Sequence, residues 1–308
     1  MSERRLPGVP PAGLIVVDKP RGPSSHQVAA WVGDMLGVPV GHAGTLDPQV
    51  SGVLVVMTGP AVRLAPVLLR EQKEYVCAMR LHGDADRTRI EETAATFVGR
   101  VYQRPPRRSA VKRTLRIRKI RDLEILDIEG RLVLFRVVCD AGTYIRSLCH
   151  HLGLAIGTGA HMQELRRTRS GSFTEDEAVS LHDIRDAAVA TEGGDPAPLS
   201  RIILPPVRGI GDMPRIVVRD AAIDALCHGA RLAGVGVVSR TKYRKGETVA
   251  VLSQKDELVC LGEALSASDA YAPGETGLVL APRTVMMAPG TYPRGWRSRE
   301  RPEPTTRA

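Results

Sequence analysis

Apolar residues along the chain fall into two periodicities, and their alternation outlines the architecture. Residues 14–17 (Leu-Ile-Val-Val) form a continuous apolar run that stops at Lys19-Pro20, the pattern of a short buried strand. Ser24 or Ser25 then offers an N-cap, and Val28, Trp31, Val32, Met35 and Leu36 recur at helical spacing until Gly37 and Pro39 close the helix. Residues 53–57 read as a second buried strand, and 75–81, which alternate loosely, as a third. Residues 115–128 and 131–139 are strand-like and flank Glu129-Gly130, a hairpin signal. Thr143 is placed to cap a helix with Ile145, Leu148, Cys149 and Leu152 on one face, and 175–190 is a second amphipathic candidate. Hairpins and helices mixed without regular strand–helix alternation predict an α+β domain over residues 14–190.

Composition then shifts. Residues 191–213 are rich in Gly and Pro around a short apolar piece, Ile202 to Leu204, and read as a linker. Short apolar runs at 216–218, 235–238, 248–252, 258–261 and 278–280, punctuated by glycines, predict a small β-rich second domain over 214–296. Residues 1–13, with Arg4, Arg5 and three prolines, form an N-terminal extension, and the charged, Pro-containing segment 297–308 a disordered tail.

The longest stretch without a charged residue is 147–163, which holds three histidines and falls short of the roughly 20 apolar residues of a spanning helix. The N-terminus lacks the apolar core of a signal peptide. Five scattered cysteines fit reduced thiols, so the expected location is cytoplasmic. No cysteine pair has zinc-site spacing, and Cys149-His150-His151 point in different directions on a helix, so no metal is expected.

The 43 Lys and Arg outnumber the 34 Asp and Glu, a net charge of +9 in 308 residues, and the excess is concentrated. From Arg100 to Arg121 there are ten basic residues, Arg107, Arg108, Lys112 and Arg113 among them, and no acid. A solvated face is the bland reading of a charge run. One of a single sign and this length repels itself unless a polyanion meets it, which points to nucleic acid. Aromatic residues, at 4%, are too few for a surface that stacks many bases in a row.

Asp47 is the only carboxylate between Asp34 and Glu71. It lies in Gly41-His-Ala-Gly-Thr-Leu-Asp-Pro48, between two predicted strands, and Pro48 restricts Asp47 to extended conformations. A turn-capping aspartate is the structural alternative. An ionised acid in a partly buried site needs a counter-charge, and the best candidate is Arg146, in the first turn of the helix after Gly142-Thr-Tyr144; the alternative is a surface arginine. Asp47 has no second acid near it for paired-carboxylate hydrolysis. Phosphate-loop, dinucleotide, zinc-protease and serine-hydrolase motifs are missing.

The octapeptide ending at Pro48 resembles the signature of the TruB family of RNA pseudouridine synthases. Lys19-Pro-x-Gly-x-Ser-Ser25, Lys73-Glu-Tyr75, Gly142-Thr-Tyr-Ile-Arg-Ser-Leu148 and Leu165-Arg-Arg-Thr-Arg-Ser-Gly171 are similar to that family's other motifs, in the same order, spanning about residues 14–173. Cys227-His-Gly-Ala230 and Pro289-Gly-Thr-Tyr-Pro293 resemble pieces of a PUA domain. With Arg104-Pro-Pro106 and Ser109-Ala-Val-Lys-Arg113 between the catalytic motifs, the whole looks most like the archaeal, dyskerin-like branch, whose members are catalytic subunits of box H/ACA guide ribonucleoproteins.

The resemblance implies an α+β catalytic domain with a mixed, mainly antiparallel sheet, followed by a small β-barrel-like PUA domain. It implies isomerisation of uridine to pseudouridine with no cofactor or metal. Asp47 would be the essential carboxylate and Arg146 its partner. Tyr75 would stack on the extruded base and assist proton removal from C5. His42 would keep the target nucleotide out of its stack, Leu165 would pack beneath base or tyrosine, and Lys19 would be structural or RNA-facing. His228, Gly229 and Arg231 would contact RNA in the second domain. Implied partners are a guide RNA, a substrate RNA, small accessory proteins and a kink-turn-binding ribosomal-type protein. Two other readings stay open at this point: guide-free modification of the T-loop uridine of tRNA, and a non-catalytic RNA-binding scaffold.

Overall fold

A computed structural model describes residues 6, 10, 12–104 and 114–294, which fall into two units, the first running to Gly209 and the second from Ile210. The first opens with β1 (Gly13–Lys19), every residue of which is buried except Asp18. Helix α1 (Ser25–Leu36) starts on a capping box, in which Ser24 accepts from the Gln27 N–H while the Gln27 side chain accepts from the Ser24 N–H, and Gly37 in the left-handed region ends it. Strands β2 (Val40–His42) and β3 (Ser51–Thr58) pair antiparallel, and the short α2 (Ala65–Leu68) leads to β4 (Lys73–Leu81). Next come α3 (Arg87–Thr96), β5 (Gly99–Gln103), β6 (Arg116–Glu129) and β7 (Leu132–Cys139), with Gly130 at positive φ in the turn between the last two. Helix α4 (Ile145–Ile156) is followed by β8 (Ala160–Ser170), β9 (Phe173–Thr174), α5 (Leu181–Glu192) and α6 (Ala197–Ile202).

These strands form one nine-stranded sheet in the order β1-β3-β8-β4-β7-β6-β5, with β2 on β3 and β9 on β8. All its pairings are antiparallel except β3 with β8. The apolar faces of α3 and α4 pack on β4, β6 and β7 through Ile90, Leu148, Leu152, Phe135 and Val137. A second core sets α1, α5 and α6 against β1 and β3 through Val28, Val32, Ile184 and Leu199. Each fully buried Leu, Ile or Phe in these layers contributes about 1.5–3 kcal/mol.

Several elements depart from the sequence reading. Tyr144, not Thr143, stands at the start of α4, because the Thr143 hydroxyl instead donates to the Asp140 carbonyl at 2.6 Å and closes the preceding turn. The second amphipathic helix begins only at Leu181, capped by Ser180, after a single turn at Glu175–Glu177. Residues 191–209, expected as part of a linker, belong to the first unit. They carry α6, and Leu204 exchanges two backbone hydrogen bonds with Leu14, at 2.9 and 2.8 Å, which adds a bridge to the edge of β1. Helix α3 and strand β8 escaped notice because both are strongly polar, α3 burying only Ile90 and Ala94.

The second unit is a six-stranded, barrel-like sheet in the order β11-β15-β14-β13-β10-β12. Its elements are β10 (Arg215–Val218), α7 (Asp220–Cys227), β11 (Leu232–Ala233), β12 (Val237–Arg240), β13 (Thr248–Leu252), β14 (Leu258–Ala264) and β15 (Leu278–Val285). Ile216, Val218, Val249, Val259 and Leu280 fill it, with Ile223 and Leu226 of α7 closing the core. All five cysteines of the chain are free and buried, and among the described residues no helix is long and apolar enough to cross a membrane.

Candidate active site

Asp47 lies in the loop between β2 and β3, and that loop is held from beneath by two buried side chains. Lys19, at the end of β1, is fully buried, and its ammonium donates to the carbonyls of Pro20 at 2.9 Å, Pro48 at 3.4 Å and Val50 at 2.8 Å. Burial, then the nearby Arg167 guanidinium, push its pKa below the ordinary lysine value, with Asp47 opposing them. Ser25 holds the residue before Asp47 by both backbone groups: its hydroxyl donates to the Leu46 carbonyl at 3.0 Å and accepts the Leu46 N–H at 2.7 Å. The Gly22 N–H adds a bond to the Pro48 carbonyl at 2.8 Å. The Lys-Pro-x-Gly-x-Ser-Ser segment is therefore a cradle for the Asp47 loop. Lys19 is inside it rather than on a surface RNA could reach.

Across the opening, the turn 140–144 leads into α4 and presents Arg146. Its guanidinium donates from Nη2 to Asp47 Oδ2, joining residues 99 apart in sequence. Both side chains are about half exposed, so the pair adds little stability by itself and is open to an incoming group.

The pair borders a cavity of about 670 Å³, lined also by Tyr75, Leu165, Lys73, Arg116 and Arg167. That volume is in the range of ordinary small-ligand pockets. Strand register explains the grouping: β8 places Arg167 opposite Tyr75 and Leu165 opposite Cys77, so tyrosine, arginine and leucine line the same face. Tyr75 is buried, which pushes its hydroxyl pKa up, and the Arg167 guanidinium beside it opposes that rise. Lys73, on the same strand, donates to the carbonyls of Leu68 at 3.1 Å and Glu71 at 2.9 Å. Burial first, and Arg167 second, push its pKa down to about 8.

Arg167 is the site residue that sequence reading missed. It is 1% exposed, donates from Nε to the Val53 carbonyl at 2.7 Å and from Nη2 to the Gly44 carbonyl at 3.1 Å, and so ties β8, the neighbour of the tyrosine strand, to both sides of the Asp47 loop. Its backbone leaves no room opposite: a Cβ on Gly52 would stand 2.2 Å from the Arg167 carbonyl oxygen, and Gly52 has φ 101°. In sequence Arg167 is one of five consecutive basic and polar residues, 166–170, and nothing local distinguishes a buried guanidinium from a solvated one. The paired strand does.

His42 is not brought to the cavity wall. It sits on β2 with its Nδ1 buried and without a hydrogen-bond partner among the described residues, and burial, then His26 and Arg167, lower its pKa. Arg107, Arg108, Lys112 and Arg113 lie outside the described residues. Further along the basic run, Arg116 lines the cavity and Arg118 donates to the Gly142 carbonyl at 3.2 Å.

In the second unit, His228, Gly229 and Arg231 are exposed just after α7, Gly229 having φ 86°. The buried Asp224 joins the two segments noted from sequence. Its carboxylate accepts the Gly290 N–H at 2.9 Å, and its backbone carbonyl lies 2.8 Å from His228 Nδ1.

Comparison with known proteins agrees with this layout. Residues 36–145 match the N-terminal domain of TruB family pseudouridylate synthases, 146–207 the C-terminal domain of tRNA pseudouridylate synthase B, and 214–286 the PUA domain. A protein of Methanothermobacter thermautotrophicus named probable tRNA pseudouridine synthase B is 50% identical over 288 residues, 92% of this chain and 89% of its own length. A Methanosarcina barkeri protein of the same name is 47% identical over 291 residues, 94% and 86% of the two chains. Among solved structures, a chain in an H/ACA ribonucleoprotein bound to a substrate RNA containing 2′-deoxyuridine superposes with TM-score 0.85 at 43% identity, over 92% of this chain and 88% of that one. A chain of a Cbf5-Nop10-Gar1 complex gives TM-score 0.84 at 45% identity, over 92% and 87%. Fold, cavity and relatives together define an RNA pseudouridine synthase with an appended PUA domain. The chain belongs to the TruB family.

Proposed function

We propose that this pseudouridine synthase works as the catalytic subunit of a box H/ACA guide ribonucleoprotein, with the reaction centred on Asp47 and Arg146. The observation that carries the reading is the Asp47–Arg146 pair at the mouth of a cavity lined by Tyr75 and Leu165. The isomerisation breaks the bond from ribose C1′ to uracil N1, joins C1′ to C5, and moves the C5 proton, so atoms and electrons balance within the nucleotide. Arg146 holds the Asp47 carboxylate toward the opening. Tyr75, kept as a phenol by burial, stacks on the extruded base and passes on the C5 proton. Leu165 supports the base from below. Lys19 positions the Asp47 loop through the Pro48 and Val50 carbonyls, and His42 acts on the target strand from outside the cavity wall. His228, Gly229 and Arg231 contact the guide RNA, and Arg107, Arg108, Lys112 and Arg113 the phosphates of guide or substrate.

Guide dependence is supported by the similar structures, whose chains are in complexes with Nop10, with Nop10 and Gar1, and in an H/ACA ribonucleoprotein with substrate RNA. By that likeness the partners are a guide RNA and small accessory proteins, joined by a kink-turn-binding protein. The second reading, guide-free modification of the T-loop uridine, is favoured by the name tRNA pseudouridine synthase B carried by the curated relatives. Pseudouridine formation in a tRNA transcript and in a guide-paired target, each with and without guide RNA and accessory proteins, separates them. Product that requires the guide is expected; equal product on tRNA without it would replace the first reading with the second.

A further inference from the structure

The start of the helix that carries Arg146 is held by a side chain that touches neither the cavity nor the carboxylate. Helix α4 begins at Tyr144, whose own side chain does not cap it. The bracing comes from β5. Gln103, the last residue of that edge strand, is 1% exposed, and its amide makes two bonds to one residue. Nε2 donates to the Tyr144 carbonyl at 3.2 Å, and Oε1 accepts the Tyr144 N–H at 2.9 Å. A primary amide that engages both backbone groups of one residue fixes its position and its rotation together. The same Tyr144 carbonyl accepts the Leu148 N–H at 3.0 Å, so the amide is attached to the first hydrogen bond of the helix. Two residues beyond Tyr144 is Arg146, whose guanidinium meets Asp47.

We propose that Gln103 is a positioning residue for pseudouridine formation, one that sets the start of α4 and thereby aims Arg146 at Asp47. The inference rests on the reading of Asp47 and Arg146 as the reaction centre. Its physical basis is leverage. A long arginine side chain magnifies small rotations of the helix start, and displacement of a reacting group by 1 Å costs on the order of 100-fold in rate. Solvent cannot substitute for the amide, because Gln103 is sealed from it.

Gln103→Met keeps the volume and burial of the side chain and removes both hydrogen bonds. In the full chain assembled with guide RNA and accessory proteins, its single-turnover rate is expected to fall about 10- to 100-fold while RNA Kd stays within about twofold. In an Arg146→Lys background the same change is expected to cost less than about twofold further, because the two residues act on one geometry. A folded Gln103→Met at wild-type rate, or an undiminished loss on top of Arg146→Lys, would overturn the proposal. Gln103→Glu gives an independent reading. A protonated carboxyl can still donate to the Tyr144 carbonyl and accept its N–H, whereas a carboxylate can only accept. The rate of Gln103→Glu relative to wild type should therefore rise as pH is lowered, and a flat ratio contradicts the proposal. Wild-type turnover by Asp47→Asn and Arg146→Lys would instead sink the reaction-centre reading itself. Slow Asp47→Asn and Arg146→Lys beside a fast Gln103→Met would sink only the positioning role.

Discussion

The two members of the Asp47–Arg146 pair are held by different means. The carboxylate stands on a loop braced from within by buried groups, with Lys19 satisfying three carbonyls, Ser25 gripping Leu46 and Arg167 tying Gly44 to Val53. The guanidinium stands at the open end of a helix braced from the side by the β5–β6 hairpin, through the sealed Gln103 amide and the more exposed Arg118. An acid braced from within its own loop thus faces a guanidinium braced through a distant strand, and the two supports can be broken separately. Both partners are about half exposed, so water reaches each of them.

Substitutions on each side sharpen that contrast. The largest loss of stability is expected from Lys19→Met, which takes the cation away from the buried Val50 carbonyl and from the part-buried carbonyls of Pro20 and Pro48. Chemical denaturation should show a loss of about 1–3 kcal/mol, with turnover lowered as the Asp47 loop loosens. Unchanged stability would mean the loop holds itself.

Lys73 supplies a pH signature between the two sides. Its folded pKa, about 8, lies below the ordinary lysine value of 10.5, so between these limits the unfolded chain binds more protons than the folded one. Stability from this group therefore rises as pH climbs from about 8 to 10.5, is complete above that, and is lost as pH falls through the folded value. Denaturation across this range should show wild type gaining stability relative to Lys73→Met as pH rises. A constant difference would place the ammonium in water.

The smallest effect belongs to the arginine side. Arg118→Ala removes one exposed bond to Gly142 and should cost about 0.5–1.5 kcal/mol at most, with little change in turnover. A large loss of rate would show that the turn relies on Arg118 rather than on Gln103.

How far this was legible in sequence follows from where each interaction lies. The apolar runs of β1 and β3, the 3.6-residue stripe of α1 and the Glu129-Gly130 hairpin are local patterns that reappear in the fold, although Trp31 of the α1 stripe is exposed. Asp47 stood out by isolation among carboxylates and by Pro48, again local signals. Strand β8 was hidden because Gln163, Glu164, Arg166, Arg167 and Arg169 leave a central strand without apolar alternation, although Met162, Leu165 and Arg167 line the cavity. Arg167 and Gln103 were hidden for a related reason. Burial of a polar side chain depends on partners dozens of residues away, as with Gln103 and Tyr144, 41 positions apart. Segment 191–209 looked like a linker because its attachment, the exchange between Leu204 and Leu14, is made through backbone atoms that composition does not reveal.

The most direct measurement is tritium release from target RNA labelled at uridine C5, by wild type and by Asp47→Asn, together with the RNA affinity of each. If the Asp47–Arg146 pair is the reaction centre, Asp47→Asn should bind RNA within about twofold of wild type and lose turnover by a factor on the order of 1,000, about 4 kcal/mol of transition-state stabilisation. Release at a rate near wild type, with binding intact, would contradict it and move the chemistry elsewhere in the cavity.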